Sequence, residues 1–387
     1  MNEELNNEMN EVVIKKPRVK ELESIRAIAF IATVFRHSLA GFIYDGKMDL
    51  FTSSVACLLL SIARFGTPTF LFVTGFVLLY NYETLPYGEF IKKRLTKVVI
   101  PYVLWSGIYL AFLKIASRQA WGNFSENLST LANHIIRGSA SYHLWFIIMI
   151  LQFYILFPLF RRLVIRCKGE KKWVGLTIGI ILYQIAAIWI YGKYLPGLAD
   201  RAIDGTFLKE LLTFRDRNFL VWILYFMMGA IFAVNFTEVK AAVHKYSKII
   251  VFGAILSLSY ILFVSFDRAI IENGYVTINY MLTSPINGRM IPYTFFAILS
   301  IFLICSKIAE TDGKAYVFFK WVGKYSFGGY LVHAIYVSIF VRVVEHFMHG
   351  QYILIKVLIT IIATFVFSIA TTYLLSKIKL GKYLIGG

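Results

Sequence analysis

Hydrophobic and polar positions along this chain fall into long blocks. Apolar runs at roughly 26–43, 57–80, 97–116, 143–162, 173–191, 219–235, 247–266, 290–306, 326–345 and 351–375 are separated by shorter polar stretches. Each is close to the ~20 residues that an α-helix needs to cross the hydrocarbon of a bilayer. The pattern predicts an all-α, polytopic membrane protein with about ten transmembrane helices in one bundle over 26–375. Polar tails, 1–25 and 376–387, flank it, and no soluble domain, low-complexity run or convincing internal repeat stands out. Composition agrees: 58% of the 387 residues are hydrophobic and 17% aromatic, more apolar surface than a soluble core hides.

The formal charge of +18 would suggest nucleic acid as the partner of a soluble protein. Here Lys and Arg concentrate in the N-terminal tail (Lys15, Lys16, Arg18, Lys20), in the loops after even-numbered spans and in the C-terminal tail. By the positive-inside rule both termini are expected in the cytoplasm, in a multi-pass protein of the cell membrane. No nucleic-acid partner is expected, because no binding fold gathers the basic residues. Cys57, Cys167 and Cys305 are too widely spaced for a disulfide framework. The polar start and long first run do not read as a cleavable signal, so that run is expected to be an uncleaved anchor.

Three ionisable groups interrupt the first run: Arg26, Arg36 and His37. At 100° and about 1.5 Å per residue, the step from Arg26 to His37 makes three turns plus roughly 20°. The two side chains therefore share a helix face about 16 Å apart, half of a ~30 Å hydrocarbon core. A cation near the surface and an imidazole near mid-membrane on one stripe are expected to line a path from one side to the centre, and titratable groups at that depth are functional candidates. Further along, Gly66-Thr67-Pro68 is expected to break or kink the second run. Arg64 beside it reads either as a snorkelling surface arginine or as a lining group of an outer vestibule. Lys92, Lys93, Arg94 and Lys97 gather in the connection to the third run, which reads as topology or as a phosphate site. His143 and Trp145 are expected at the outer mouth of the fourth span, and His333 inside the ninth, where Gly328 and Gly329 permit close helix approach. The outer loops 192–218 and 267–289 carry mixed charges. His346 and His349 have metal-like spacing without an acidic or cysteine companion, and no metal site is expected there.

Neither a Gly-rich phosphate loop nor a Ser–His–Asp pattern is present. A buried histidine without a nucleophile motif points to direct general-base catalysis, since neutral imidazole is suited to taking a hydroxyl proton near pH 7. Arg26, three turns away, is placed to hold an anionic group arriving from the cytosol.

Leu22-Glu-Ser-Ile-Arg26-Ala-Ile-Ala, with ten residues between Arg26 and His37, resembles the Arg-x10-His signature of the acyltransferase-3 family of membrane O-acyltransferases. Phe70-Leu-Phe-Val-Thr-Gly75-Phe is similar to its second-span Phe-Phe-x-x-Ser-Gly-Phe block, and Arg94-x-x-Lys97 before Pro101-Tyr102 to its basic connection. Leu144-Trp-Phe with Gln152-Phe-Tyr and Pro158, and Ser326-x-x-x-Tyr330-Leu-Val-His333, complete five ordered blocks. The resemblance implies a roughly ten-span bundle that moves an acyl group, usually acetyl, from cytosolic acyl-coenzyme A to a surface glycan or its lipid-linked precursor. It implies His37 as base, Arg26, Arg94 and Lys97 on the donor's phosphates, and no bound cofactor. His143 before Leu-Trp-Phe resembles the branch acting on surface polysaccharides, with His143, Trp145, Arg64 and His333 as acceptor-side or lining residues. Three positions depart from the pattern: Lys97 for arginine, Thr74 for serine, and Ile150-Leu151 where many members have two glutamates.

The alternative is a transporter or flippase of a glycan precursor, with Arg26, Arg64 and His37 lining its path. Transporters often show broken spans in both halves, and the break at Gly66-Thr67-Pro68 has no evident partner in the second half of the sequence. A third reading is a sensory or scaffolding membrane protein in which the histidines are structural.

Overall fold

The structure, a computed structural model, describes residues 17–43, 48–83, 85–169, 171–350 and 352–386. Most of the N-terminal tail, with Lys15 and Lys16, lies outside the described residues. The chain is almost entirely helical: α1 (Lys20–Ile43), α2 (Leu50–Ala63), α3 (Gly66–Asn81), α4 (Tyr87–Arg94), α5 (Ile100–Ala116), α6 (Phe124–Arg137), α7 (Trp145–Ile155), α8 (Phe157–Arg166) and α9 (Lys172–Lys193) form its first half. The second half has α10 (Leu195–Arg201), α11 (Phe207–Thr213), α12 (Ile223–Val234), α13 (Phe236–Lys245), α14 (Ser247–Asp267), α15 (Met290–Thr311), α16 (Lys314–Phe347), α17 (Ile353–Lys377) and α18 (Gly381–Ile385). A two-stranded antiparallel hairpin, β1 (Ile270–Glu272) and β2 (Tyr275–Thr277), is the sole sheet among the described residues. Among those residues 8 helical stretches are long and apolar enough to cross a membrane, or up to 10 if each of two bent pairs is one span.

The helices outrun the apolar blocks. Leu50–Asn81 is one stretch of 32 residues, interrupted at Arg64 and Phe65 without a sharp turn; α16 runs for 34 residues, back from the expected 326 to Lys314. At about 1.5 Å per residue α16 is roughly 50 Å long, so it projects beyond a ~30 Å hydrocarbon layer. Two spans bend: α7 into α8 by 60°, and α12 into α13 by 108°. Pro158 stands at the first bend. At the second, the Asn235 side chain accepts from the Gly169 backbone N–H and donates to the Ile231 carbonyl. The second half of the chain thus contains one sharply bent helix pair, where the sequence reading found no counterpart to the break at Gly66-Thr67-Pro68.

Two packings position the site. In the first, α3 lies against α12 with Gly75 opposite the Phe226 carbonyl and Gly229 opposite the Phe72 carbonyl, so close that a Cβ on either glycine would overlap that carbonyl. Small residues facing each other let helix backbones touch where no hydrophobic effect drives association. In the second, α16 is packed between α1 and α17; Gly323 faces the Glu23 carbonyl, Gly329 the Phe30 ring and Gly328 the Thr372 side chain. The expected close approach at Gly328 and Gly329 is found, and it brings His333 beside α1. The outward face of α9 stays exposed, with Leu182, Ile185 and Trp189 about half accessible or more, which suits contact with lipid.

Candidate active site

Cavities open from both ends of the bundle. At the end that carries Pro17 and Gly386, the tail end, a vestibule of about 910 Å³ is lined by Arg18, Glu23, Arg26, Lys320, Trp321 and Lys324. It continues, through the shared walls of Arg26, Val77, Gly323 and Lys324, into a narrower chamber of about 270 Å³ that reaches Thr74, Arg94, Lys97 and Tyr330. At the opposite, loop end a cavity of about 590 Å³ is lined by Arg36, His37, Arg64, Tyr142, Trp145 and Arg342. It adjoins a further groove of about 1000 Å³ through Asp216, Met281 and Ile286.

The chain between α4 and α5 is a helical turn rather than a loop: Leu95–Val99 is a π-turn inside one helical run, Tyr87–Ala116. Such bulges change the angular register of a helix and recur at functional sites. Here Arg94 and Lys97 both line the narrow chamber, whereas Lys92 and Lys93 do not. The Arg94 guanidinium lies 4.6 Å from the Tyr82 ring centre and 5.8 Å from that of Tyr154. Its buried Nε has no hydrogen-bond partner. Thr74 returns its hydroxyl to the Phe70 carbonyl at 2.8 Å. Ile150, one of the two departures from the family's acidic pair, makes part of the chamber's apolar wall.

Arg26 and His37 keep to one helix but enter different spaces. Arg26 lines the tail-end cavities and His37 the loop-end one, and those spaces share no lining residue among the described residues. The single path expected from the shared helix face is therefore interrupted. Phe70, Phe146 and Tyr330, mutually 5.6–6.1 Å apart at their ring centres, close the narrow chamber. Behind Tyr330 the rings continue: His333 at 5.6 Å, and then His37 at 5.3 Å from His333. A thin septum of aromatic and imidazole rings thus separates the two chambers.

His37 accepts a 2.8 Å hydrogen bond at Nε2 from Arg36. Arginine has no acceptor, so the neutral His37 ring carries its proton on Nδ1. Its ring lies 4.7 Å from Tyr142, which, like Arg36, lines the loop-end cavity. Arg64 is an inner-wall residue and not a snorkelling one. It is 8% exposed and donates to the Thr283 hydroxyl at 3.1 Å and the Tyr280 carbonyl at 3.0 Å. Trp145 lines the same cavity and packs 5.5 Å from Trp222.

His143 departs from its expected place at an outer mouth. It is 2% exposed, because the turn from Gly138 to Leu144 folds inward. The Tyr330 hydroxyl donates to its main-chain carbonyl at 2.5 Å, and its ring lies 4.8 Å from that of His333. His333, with no exposed surface, donates from Nδ1 to the Tyr330 carbonyl at 2.6 Å. The sequence had offered His143 and His333 only as separate lining residues. Tyr330 had entered only as part of a motif, Tyr142 not at all. The signal for Tyr330 was its place three residues before His333, one helical turn away.

The structure thus defines an α-helical membrane protein with chambers that carry charged side chains and are entered from opposite ends, and a histidine at the partition. The chain belongs to the family described as "Acyltransferase domain", whose model matches residues 19–377; it is a membrane acyltransferase. It is 25% identical over 326 residues to the "putative membrane-bound acyltransferase YfiQ" of Bacillus subtilis strain 168, covering 83% of this chain and 82% of the relative. It is 23% identical over 325 residues, 83% of each chain, to a "probable poly-beta-1,6-N-acetyl-D-glucosamine export protein" of Staphylococcus aureus strain MSSA476. A Staphylococcus epidermidis protein of that name is 22% identical over 323 residues, 81% of this chain and 80% of the relative. No solved structure matches the chain.

Proposed function

We propose that this acyltransferase takes an acyl group, in the first instance acetyl, from acyl-coenzyme A and transfers it to a hydroxyl of a cell-surface polysaccharide or its lipid-linked precursor. The observation that carries this reading is that Arg26, Arg94, Lys97, Lys320 and Lys324 gather around the tail-end chambers, while the imidazole of His37 lines the loop-end one beside Arg36, Arg64 and Arg342. The positive-inside distribution of Lys and Arg supports a cytoplasmic tail end, and with it the cell membrane as location. The donor's phosphates are then held by Arg26, Arg94 and Lys97, and its acyl arm reaches the septum through the narrow chamber. Lys97 supplies charge without arginine's bidentate fork.

On the other side His37 Nε2 takes the proton of the acceptor hydroxyl. That hydroxyl displaces the Arg36 guanidinium, which stays beside the reacting centre as a donor to developing negative charge. The septum parts to let the acyl carbon reach the His37 side; the alkoxide oxygen bonds to the thioester carbonyl carbon, the carbon–sulfur bond breaks, and the thiolate takes the proton from the His37 imidazolium and leaves as thiol toward the tail end. The names of the staphylococcal relatives support a glycan acceptor.

Those names also favour a second reading, export of a glycan, as does the 108° bend between α12 and α13. Deleting the gene separates the two. Mass spectrometry of the surface polysaccharides is expected to show normal amounts of polymer stripped of acyl groups. Loss of surface polymer with unchanged acylation of what remains would favour export instead.

A further inference from the structure

The groove of about 1000 Å³ beside the His37 cavity has no part in the reaction described above. One wall is Ile185, Ile188 and Trp189 of α9, and another is Ile291 and Pro292 at the start of α15. Ile185 and Trp189 also belong to the outward face of α9, 49% and 55% exposed, so the groove opens sideways onto the surface that meets lipid. Lys193, Arg215 and Arg289 line it as well, and the Lys193 ammonium lies 4.8 Å from the Trp189 ring centre, where apolar wall meets charge. From Lys193 back to Ile185 the wall runs about 12 Å along the helix, a depth that suits a hydrocarbon chain and not a sugar. The groove joins the His37 cavity at Asp216, Met281 and Ile286.

Resting on the acyl-transfer reading, we propose that the acceptor is a glycan joined through a diphosphate to a hydrocarbon chain and that it enters this groove sideways from the bilayer. The chain lies between α9 and α15, the phosphates sit among Lys193, Arg215 and Arg289, and the sugars next to them reach the His37 cavity. Arginine grips phosphate through paired N–H donors, and lysine adds charge. Asp216, at the junction, repels the phosphates and keeps them out of the reacting space. Inside that space Arg36 is bonded to His37, and Arg64 to Thr283 and the Tyr280 carbonyl. Trp145 and Trp222 give the sugars aromatic walls there of the kind that line small-molecule sites. Moving the chain from lipid into an apolar groove gains little by itself, since lipid tails are equally apolar. The gain is effective concentration: an anchored acceptor is held at the membrane beside its site. A detached neutral polysaccharide has neither chain nor charge and would leave both parts of the groove unused.

The test gives the full chain in vesicles, with labelled acetyl-coenzyme A, three acceptors that carry one glycan. They are the diphosphate-linked lipid extracted from cells, the glycan released from it by mild acid, and the released glycan coupled to an uncharged decyl chain. Wild-type kcat/KM is expected to be about 10²-fold higher for the lipid-linked form than for the released one, with the decyl form between them. Arg215→Gln and Arg289→Gln are each expected to raise the KM of the lipid-linked acceptor about tenfold and so to narrow its lead over the decyl form. Equal losses on both acceptors would mark the arginines as structural, and equal use of the released and lipid-linked glycans would show that no anchor is read; either result overturns the proposal. Farnesyl diphosphate is expected to compete with the lipid-linked acceptor; competition with acetyl-coenzyme A alone would put the diphosphate in the tail-end chambers and likewise overturn it. Transfer to the released glycan alone would leave the acyltransferase reading standing without the groove. Absence of transfer to all three by wild type would remove that reading and the groove's assignment with it.

Discussion

Arg36 and His37 are neighbours in sequence and nevertheless hydrogen-bonded to each other, guanidinium to Nε2, at 2.8 Å. Adjacent residues on a helix point 100° apart and do not face one another. The contact exists because both side chains bend into the same cavity. It fixes the tautomer of His37 and keeps a cation beside the position where the acceptor must sit. Replacing Arg36 by Met is expected to lower kcat by about 10²-fold, the usual worth of one donor to developing charge, with the KM for the donor unchanged. Steady-state transfer in proteoliposomes checks it, and a rise in donor KM at unchanged kcat would move Arg36 to the donor site.

The basic groups of the narrow chamber give the opposite signature. Arg94→Ala and Lys97→Ala are each expected to raise the KM for acyl-coenzyme A by about tenfold or more, since a hydrogen bond to a charged group contributes about 1.5–3 kcal/mol. The KM for the glycan should not move. Lys97→Arg, which restores the bidentate fork, is expected to hold or lower the donor KM. Varying one substrate at a time reads both effects.

The septum must exclude water from the thioester. Phe70→Ala removes one of the three rings that close the donor chamber. Hydrolysis of the donor without an acceptor is expected to rise several-fold relative to transfer, because shielding reactive intermediates from water is one purpose of a closed site. Free thiol released in the absence of glycan measures this, and an unchanged ratio would show that the partition lies elsewhere.

Much of the bundle was legible in the sequence because lipid imposes it: each apolar block has to satisfy its backbone internally and so becomes a helix. The bends were less so. Pro158 marks one, but the 108° turn at Asn235 depends on an amide captured by Gly169, 66 residues away. The site divides in the same manner. Arg26 and His37 were readable from spacing on one helix, and Arg94 and Lys97 from their charge. The inward fold of His143 was not, since it depends on Tyr330, 187 residues later, reaching back to its carbonyl. Nor was the septum, because phenylalanines in a span look alike whether they face lipid, core or a chamber.

The close packing of α3 on α12 sets the walls around that septum. Gly75→Ala or Gly229→Ala places a methyl against the opposite backbone carbonyl, where no flexible side chain can give way. Each is expected to destabilise the protein by about 1–3 kcal/mol, the usual cost of overpacking. Thermal unfolding in detergent, followed by loss of monodisperse protein, should show a lower midpoint for both. A midpoint at or above that of wild type would mean that the two helices are not in contact in the membrane.

Acyl transfer by purified wild type and His37→Ala, reconstituted with labelled acetyl-coenzyme A on one side and envelope glycan on the other, goes directly to the role of His37. Loss of at least about 10²-fold in transfer, with donor binding retained, is the predicted result. Equal turnover by the two proteins would contradict it and take His37 out of the chemistry.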